Sequence, residues 1–119
     1  MDLEKLEIYE ISMNIGEKVW GSVSSWKYFE KDTLGKQLVR SADSIAANIS
    51  EGFGRYHYAD AKHFFYFARG SLFETKTWLK KAHSRQLIED SDYLTFMEQI
   101  NRLGVKLNNF IKTTGKKGV

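Results

Sequence analysis

Residues 58–84 read YADAKHFFYFARGSLFETKTWLKKAHS, and their spacing decides the fold. Ala61, Ala68, Thr75 and Ala82 recur every seven residues, and Phe65, Leu72 and Leu79 recur in the same way beside them. A seven-residue repeat of two interleaved positions places all seven side chains on one face of an α-helix, the seam geometry of closely packed bundles. Phe64, Phe67, Phe73 and Trp78 fall outside that seam, so the helix is apolar around much of its circumference and has contacts to make on more than one side.

Upstream, Leu34, Leu38, Ala42, Ile45, Ile49 and Phe53 run at helical spacing toward Gly52 and Gly54. An N-cap is expected at Asp32 or Thr33, after a loop through residues 26–31. Either glycine can end this second helix in a left-handed conformation. Small residues (Ser41, Ala42, Ser44, Ala46, Ala47, Ser50) let a neighbouring helix approach closely. The first helix, about residues 2–25, carries two apolar stripes: Leu6, Tyr9, Met13, Trp20 and Val23, and Ile8, Ile11, Ile15 and Val19. Two stripes mean either a broad core face or a second face packed on another subunit. Downstream, residues 86–90 form a short connection with Asp90 or Ser91 as N-cap. Leu94, Met97, Ile100, Leu103, Leu107 and Ile111 then make the stripe of a fourth helix, interrupted by Gly104.

Four helices with short links give an all-α, antiparallel up-down four-helix bundle occupying residues 1–112, with a short, polar, basic tail at 113–119. A chain of 119 residues supports one core. No proline interrupts a helix, and the absence of cysteine excludes disulfides and thiolate metal sites and suits a reducing cytoplasm. The first residues are acidic and show no signal peptide, and no apolar run approaches the ~20 residues that span a bilayer.

Catalytic patterns are missing. Glu51, Glu74, Glu89 and Glu98 all lack a histidine three residues on, and His57, His63 and His83 do not pair at four-residue spacing, so neither a metal nor another cofactor is expected. Ser71 follows Gly70 outside any nucleophile elbow, and Gly52-Phe53-Gly54 lacks the lysine-serine of a phosphate loop. No enzyme is expected.

Two polar patterns remain. Arg40, Ser44, Asn48, Glu51 and Arg55 step by 4, 4, 3 and 4 along one face of the second helix, and Gly70, Glu74 and Lys81 form a comparable row on the third. This row is either a network that fixes packing or a ligand surface. The second pattern is a charge stripe. The net charge of +3 is uneven, because residues 59–86 hold six basic and two acidic side chains. Lys62, Arg69 and Lys76 lie seven residues apart, with Arg55 before them and Lys80 and Lys81 after, and no acid shares their row. Such a stripe is either a solvated face or a surface for nucleic-acid backbones.

The run Arg40-Ser41-Ala42-Asp43-Ser44-Ile45, then Asn48-Ile49-Ser50-Glu51-Gly52-Phe53-Gly54-Arg55, then Ala68-Arg69-Gly70-Ser71-Leu72-Phe73-Glu74 resembles the 23S rRNA intervening-sequence protein family. The chain is also similar to the accessory variability protein of diversity-generating retroelements. The resemblance covers nearly the whole chain. It implies a small four-helix bundle, a homopentamer around a central channel, and a nucleic-acid or protein partner. The family's prolines are absent, Ala46 and Ala47 standing where one is frequent.

Overall fold

The structure, a computed structural model, describes residues 2–115. A single 3₁₀ turn, Leu3–Lys5, leads into α1 (Glu7–Ser24). The chain then re-enters helical conformation at Tyr28–Glu30, passes through a π-helical turn at Lys31–Gly35 and continues directly into α2 (Lys36–Phe53). After four residues α3 (Tyr58–Ser84) runs back, and after five more α4 (Asp90–Thr113) closes the bundle. In cyclic order each helix packs on the next, and α4 returns to α1, within an envelope of 49 × 23 × 21 Å. This is the antiparallel four-helix bundle expected from the spacing, and no strand occurs among the described residues.

The α3 seam is buried as its period requires: Ala61, Phe65, Ala68, Leu72, Thr75, Leu79 and Ala82 all lie in the interior. Its one cross-helix polar contact is to α2. Thr75 Oγ1 lies 2.9 Å from Ser41 Oγ, and Ser41 donates to the Leu38 carbonyl at 3.2 Å. Both hydroxyls are therefore satisfied without leaving the core.

Several local expectations are corrected. The helix leading into α2 begins at Tyr28, so Asp32 and Thr33 are interior to it rather than caps. Asp32 pairs with Lys36 at 3.2 Å, and Thr33 Oγ1 donates back to the Phe29 carbonyl at 2.7 Å. The Lys36 amide bonds to the Lys31 carbonyl five residues back, and this wider turn seats Leu34 and Gly35 in the interior. Neither Gly52 nor Gly54 is left-handed; Gly54 has φ −81° and ψ −4°. Gly52 is demanded by packing instead, since a Cβ there would lie 2.5 Å from the Phe65 ring and 3.0 Å from the Ala61 carbonyl. A left-handed turn sits at Gln86 (φ 62°), where Gln86 N–H bonds His83 O and Leu87 N–H bonds Ala82 O at the end of α3, and Gly115 after α4 is also left-handed (φ 80°).

The stripes of α1 and α4 also shift. The Ile8, Ile11, Ile15 and Val19 stripe lies in the core, the broad-core-face alternative, and so do Leu6 and Val23 of the other stripe, whereas its Met13 and Trp20 are exposed. On α4, Glu89 rather than Asp90 or Ser91 occupies the cap position, and Leu94 is exposed while Phe96 is buried. Of the expected tail, Thr113 belongs to α4, and Thr114 bonds back to the Phe110 carbonyl. Lys116 and Lys117 lie outside the described residues. Among those described, no helix is long and apolar enough to cross a membrane.

Candidate nucleic-acid interface

The charge stripe of α3 is longer and more mixed than its lysines and arginine alone indicate. Lys62, Tyr66, Arg69, Phe73, Lys76 and Lys80 step by 4, 3, 4, 3 and 4 residues, so cations and rings alternate along one flank of the helix. The core of α3 needs the seam positions, which leaves this flank free. Tyr66 and Phe73 are 53% and 50% exposed. Lys76 Nζ donates to Asn101 Oδ1 on α4 at 3.0 Å, which places the stripe beside α4. The α4 row through that contact repeats the same steps in the opposite direction: Leu94, Glu98, Asn101, Val105, Asn108 and Lys112. Together the two rows make one face of cations, half-exposed rings, side-chain amides and the exposed Leu94 and Val105, with Glu98 within it and Asp90 at its end. At its far end the α3 row reaches His83, whose Nε2 lies 2.7 Å from Asp90 Oδ1 and whose ring stacks on Tyr93 at 4.0 Å.

Lys62, Arg69, Lys76 and Lys80 form no ion pair among the described residues. Arg69 lies over the Phe73 ring at 5.1 Å, holding cation and ring as a unit. Lys62 and Lys76 are half-buried, and Asn101 holds the Lys76 ammonium. On the α1–α4 side, by contrast, Arg102 and Lys106 both reach Glu7, at 3.3 and 3.0 Å. Arg55 does not extend the stripe. It pairs with Glu51 at 3.6 Å and lies 4.4 Å over Phe64, which sits about 200° around α3 from Lys62, on the flank facing α2.

The polar row is mostly satisfied within its own helices. Asn48 Nδ2 donates to the Ser44 carbonyl at 2.9 Å, Glu51 holds Arg55, and Trp78 Nε1 donates to Glu74 Oε2 at 3.2 Å. The Ser71 carbonyl accepts from Thr75 at 2.8 Å. Arg40 is exposed, and Gly70 faces open space. None of these contacts converges on a common point.

A separate recess of about 330 Å³ opens between α1 and α2, lined by Ser12, Met13, Gly16, Glu17, Asp43 and Ser50 among others. Burial, and then the neighbouring Glu17 carboxylate, push the Asp43 carboxyl above its ordinary value of 3.8. Trp20, 62% exposed, lies further along α1. Among the described residues no three His, Asp or Glu side chains gather where they could hold a metal ion.

A family model described as 23S rRNA-intervening sequence protein matches residues 4–109. The chain belongs to this family. The fold agrees with a crystal structure of a protein of unknown function from the S23 ribosomal protein family of Bacteroides thetaiotaomicron, at a TM-score of 0.80 and 22% identity, covering 89% of this chain and 99% of that one. No curated protein matches. Within this chain, Tyr66, Phe73, Asn101 and Asn108 are residues of the face that charge counting passes over. The alternation of rings with cations at 4-3 steps is visible in the sequence of α3. The α4 half needs the antiparallel packing to bring it alongside.

Proposed function

We propose that the protein binds nucleic acid through the α3–α4 face, with Lys62, Arg69, Lys76 and Lys80 contacting phosphates. The observation that carries this reading is the unpaired, ring-interleaved basic row of α3. Four cations outside any ion pair among the described residues, on a face whose acids are Glu98 and, at its end, Asp90, hold a positive field that neighbouring carboxylates only partly offset. Polyanions displace counterions on such a row without requiring a pocket. Membership in a family named for 23S rRNA intervening sequences is consistent with RNA as the polymer. The test is binding of labelled RNA and DNA at low salt by the wild type and by a Lys62→Glu, Arg69→Glu, Lys76→Glu variant. Loss of binding in the variant supports the reading. No binding by the wild type, or equal binding by the variant, overturns it.

A second reading concerns the opposite side of the bundle and is compatible with the first. Met13 and Trp20 leave an exposed apolar strip on α1 beside the recess, suited to a protein partner, foremost further copies of the chain in the pentamer that the family resemblance implies. A ring of copies would repeat the basic row around its rim and strengthen its field. Light scattering at micromolar concentration should give a multiple of the 13.8 kDa chain that falls on Trp20→Glu substitution; a wild-type monomer contradicts this reading.

A further inference from the structure

Resting on the nucleic-acid reading above, we infer that the polymer this face takes is single-stranded, with unpaired bases stacking on Tyr66 and Phe73. Binding a duplex backbone needs cations alone, because paired bases are already stacked on one another and their faces are hidden. An alternation of cation and ring has a different chemistry. Each cation takes a phosphate, and each ring offers a π-face to a base that has left its own stack. Tyr66 and Phe73 are the two rings on the row, both half-exposed, and neither is needed by the α3 seam. Arg69 lies over Phe73 at 5.1 Å, so one ring is already held in place by a cation and meets a base with little ordering left to do.

The spacing also fits a strand. Tyr66 and Phe73 are seven residues apart, roughly 10.5 Å along the helix axis. That distance spans about three nucleotides of a stacked strand at ~3.4 Å each, and fewer of an extended one. The two rings therefore receive bases that are separated along the strand, with the phosphates between them near Arg69. From Lys62 to Lys80 the row runs roughly 27 Å, so its footprint is about eight nucleotides when stacked and fewer when extended. Across the face, Asn101 and Asn108 present amides that can donate to and accept from base edges, and the Asn101 side chain already orients Lys76. A flat, stacked duplex would bury neither ring, leaving two half-exposed aromatics without a role in binding.

Fluorescence anisotropy of a labelled, unstructured 12-nucleotide RNA, and of the same RNA annealed to its complement, tests this with the intact protein. The wild type should bind the single strand at least tenfold more tightly than the duplex. Tyr66→Leu and Phe73→Leu keep apolar area but remove the π-face; each should weaken single-strand binding by about fivefold or more, the low end for stacking of one base. Tyr66→Leu, whose ring holds no cation, should leave duplex binding and the salt dependence unchanged. Equal affinity for the two forms, or undiminished single-strand binding in both leucine variants, overturns the inference while leaving the nucleic-acid reading standing if charge reversal still abolishes binding. No binding to either form removes both. A change in oligomer size on Phe73→Leu, without any change in RNA affinity, makes the face a protein interface and likewise overturns it.

Discussion

At the scale of single residues, small side chains in this protein answer to packing more than to backbone conformation. Gly52 on α2 admits the Phe65 ring, and a Cβ there would lie 2.5 Å from it. Gly52→Ala should therefore destabilise the fold by about 1–3 kcal/mol, the usual cost of overfilling a packed contact. Gly104 on α4 has room, with Leu72 Cδ2 at 3.9 Å from the added carbon. Gly104→Ala should stabilise by about 1 kcal/mol through helix propensity. Urea denaturation of both variants checks the contrast, and the opposite signs would show that the α2–α3 approach is described wrongly. Asp43 gives a pH signature. Its carboxyl is held above 3.8 by burial and by Glu17, so the folded state keeps a proton that the unfolded state gives up more readily. The penalty is absent well below pH 3.8, grows as pH rises through the folded-state value, and persists above it. Asp43→Asn should accordingly raise Tm at pH 7, with the gain shrinking toward pH 3; a pH-independent gain would mean that charge is not its cause.

At the scale of elements, how legible each helix was depended on how many faces it buries. The α3 seam could be read to the residue because a strict seven-residue repeat admits one phase. In α1 two stripes competed, and only the positions of α2 and α4 decide that Ile8, Ile11, Ile15 and Val19 face inward. The start of the helix that becomes α2 was hidden because Asp32 and Thr33 look like caps, yet a helix already under way from Tyr28 uses them as an ion-pair partner and a backbone donor. At the start of α4 Leu94 continues the spacing of the stripe, yet Phe96 is the residue that is buried there. That phase has a direct check: Phe96→Ala should cost about 3–5 kcal/mol, whereas Leu94→Ala should stay within about 0.5 kcal/mol of wild type. Equal costs in chemical denaturation would contradict the burial of Phe96. The polar row of α2 was visible as a row, but its residues close hydrogen bonds and an ion pair within one helix, which spacing alone does not distinguish from a shared site.

At the scale of the whole molecule, the bundle separates two kinds of surface. One side, between α1 and α2, carries the Glu17 and Asp43 carboxylates and the exposed Met13 and Trp20. The other, between α3 and α4, carries four cations without ion pairs among the described residues and two half-exposed rings among them. The fold and the family were legible from seam and motif; the basic half of the proposed interface was legible from charge. Its α4 half, and the placement of Arg55 on the other flank, needed the packed structure. Counterion release makes the central claim quantitative. If Lys62, Arg69, Lys76 and Lys80 each neutralise one phosphate of a single strand, the slope of log K against log salt should be about −2.8 for the wild type. Replacing Lys62, Arg69 and Lys76 by alanine should bring it to about −0.7. The decisive measurement is this slope for one unstructured oligonucleotide and both proteins: a steep slope that flattens in the variant is the expected result, and an unchanged slope would contradict the assignment of the α3 row as the binding surface.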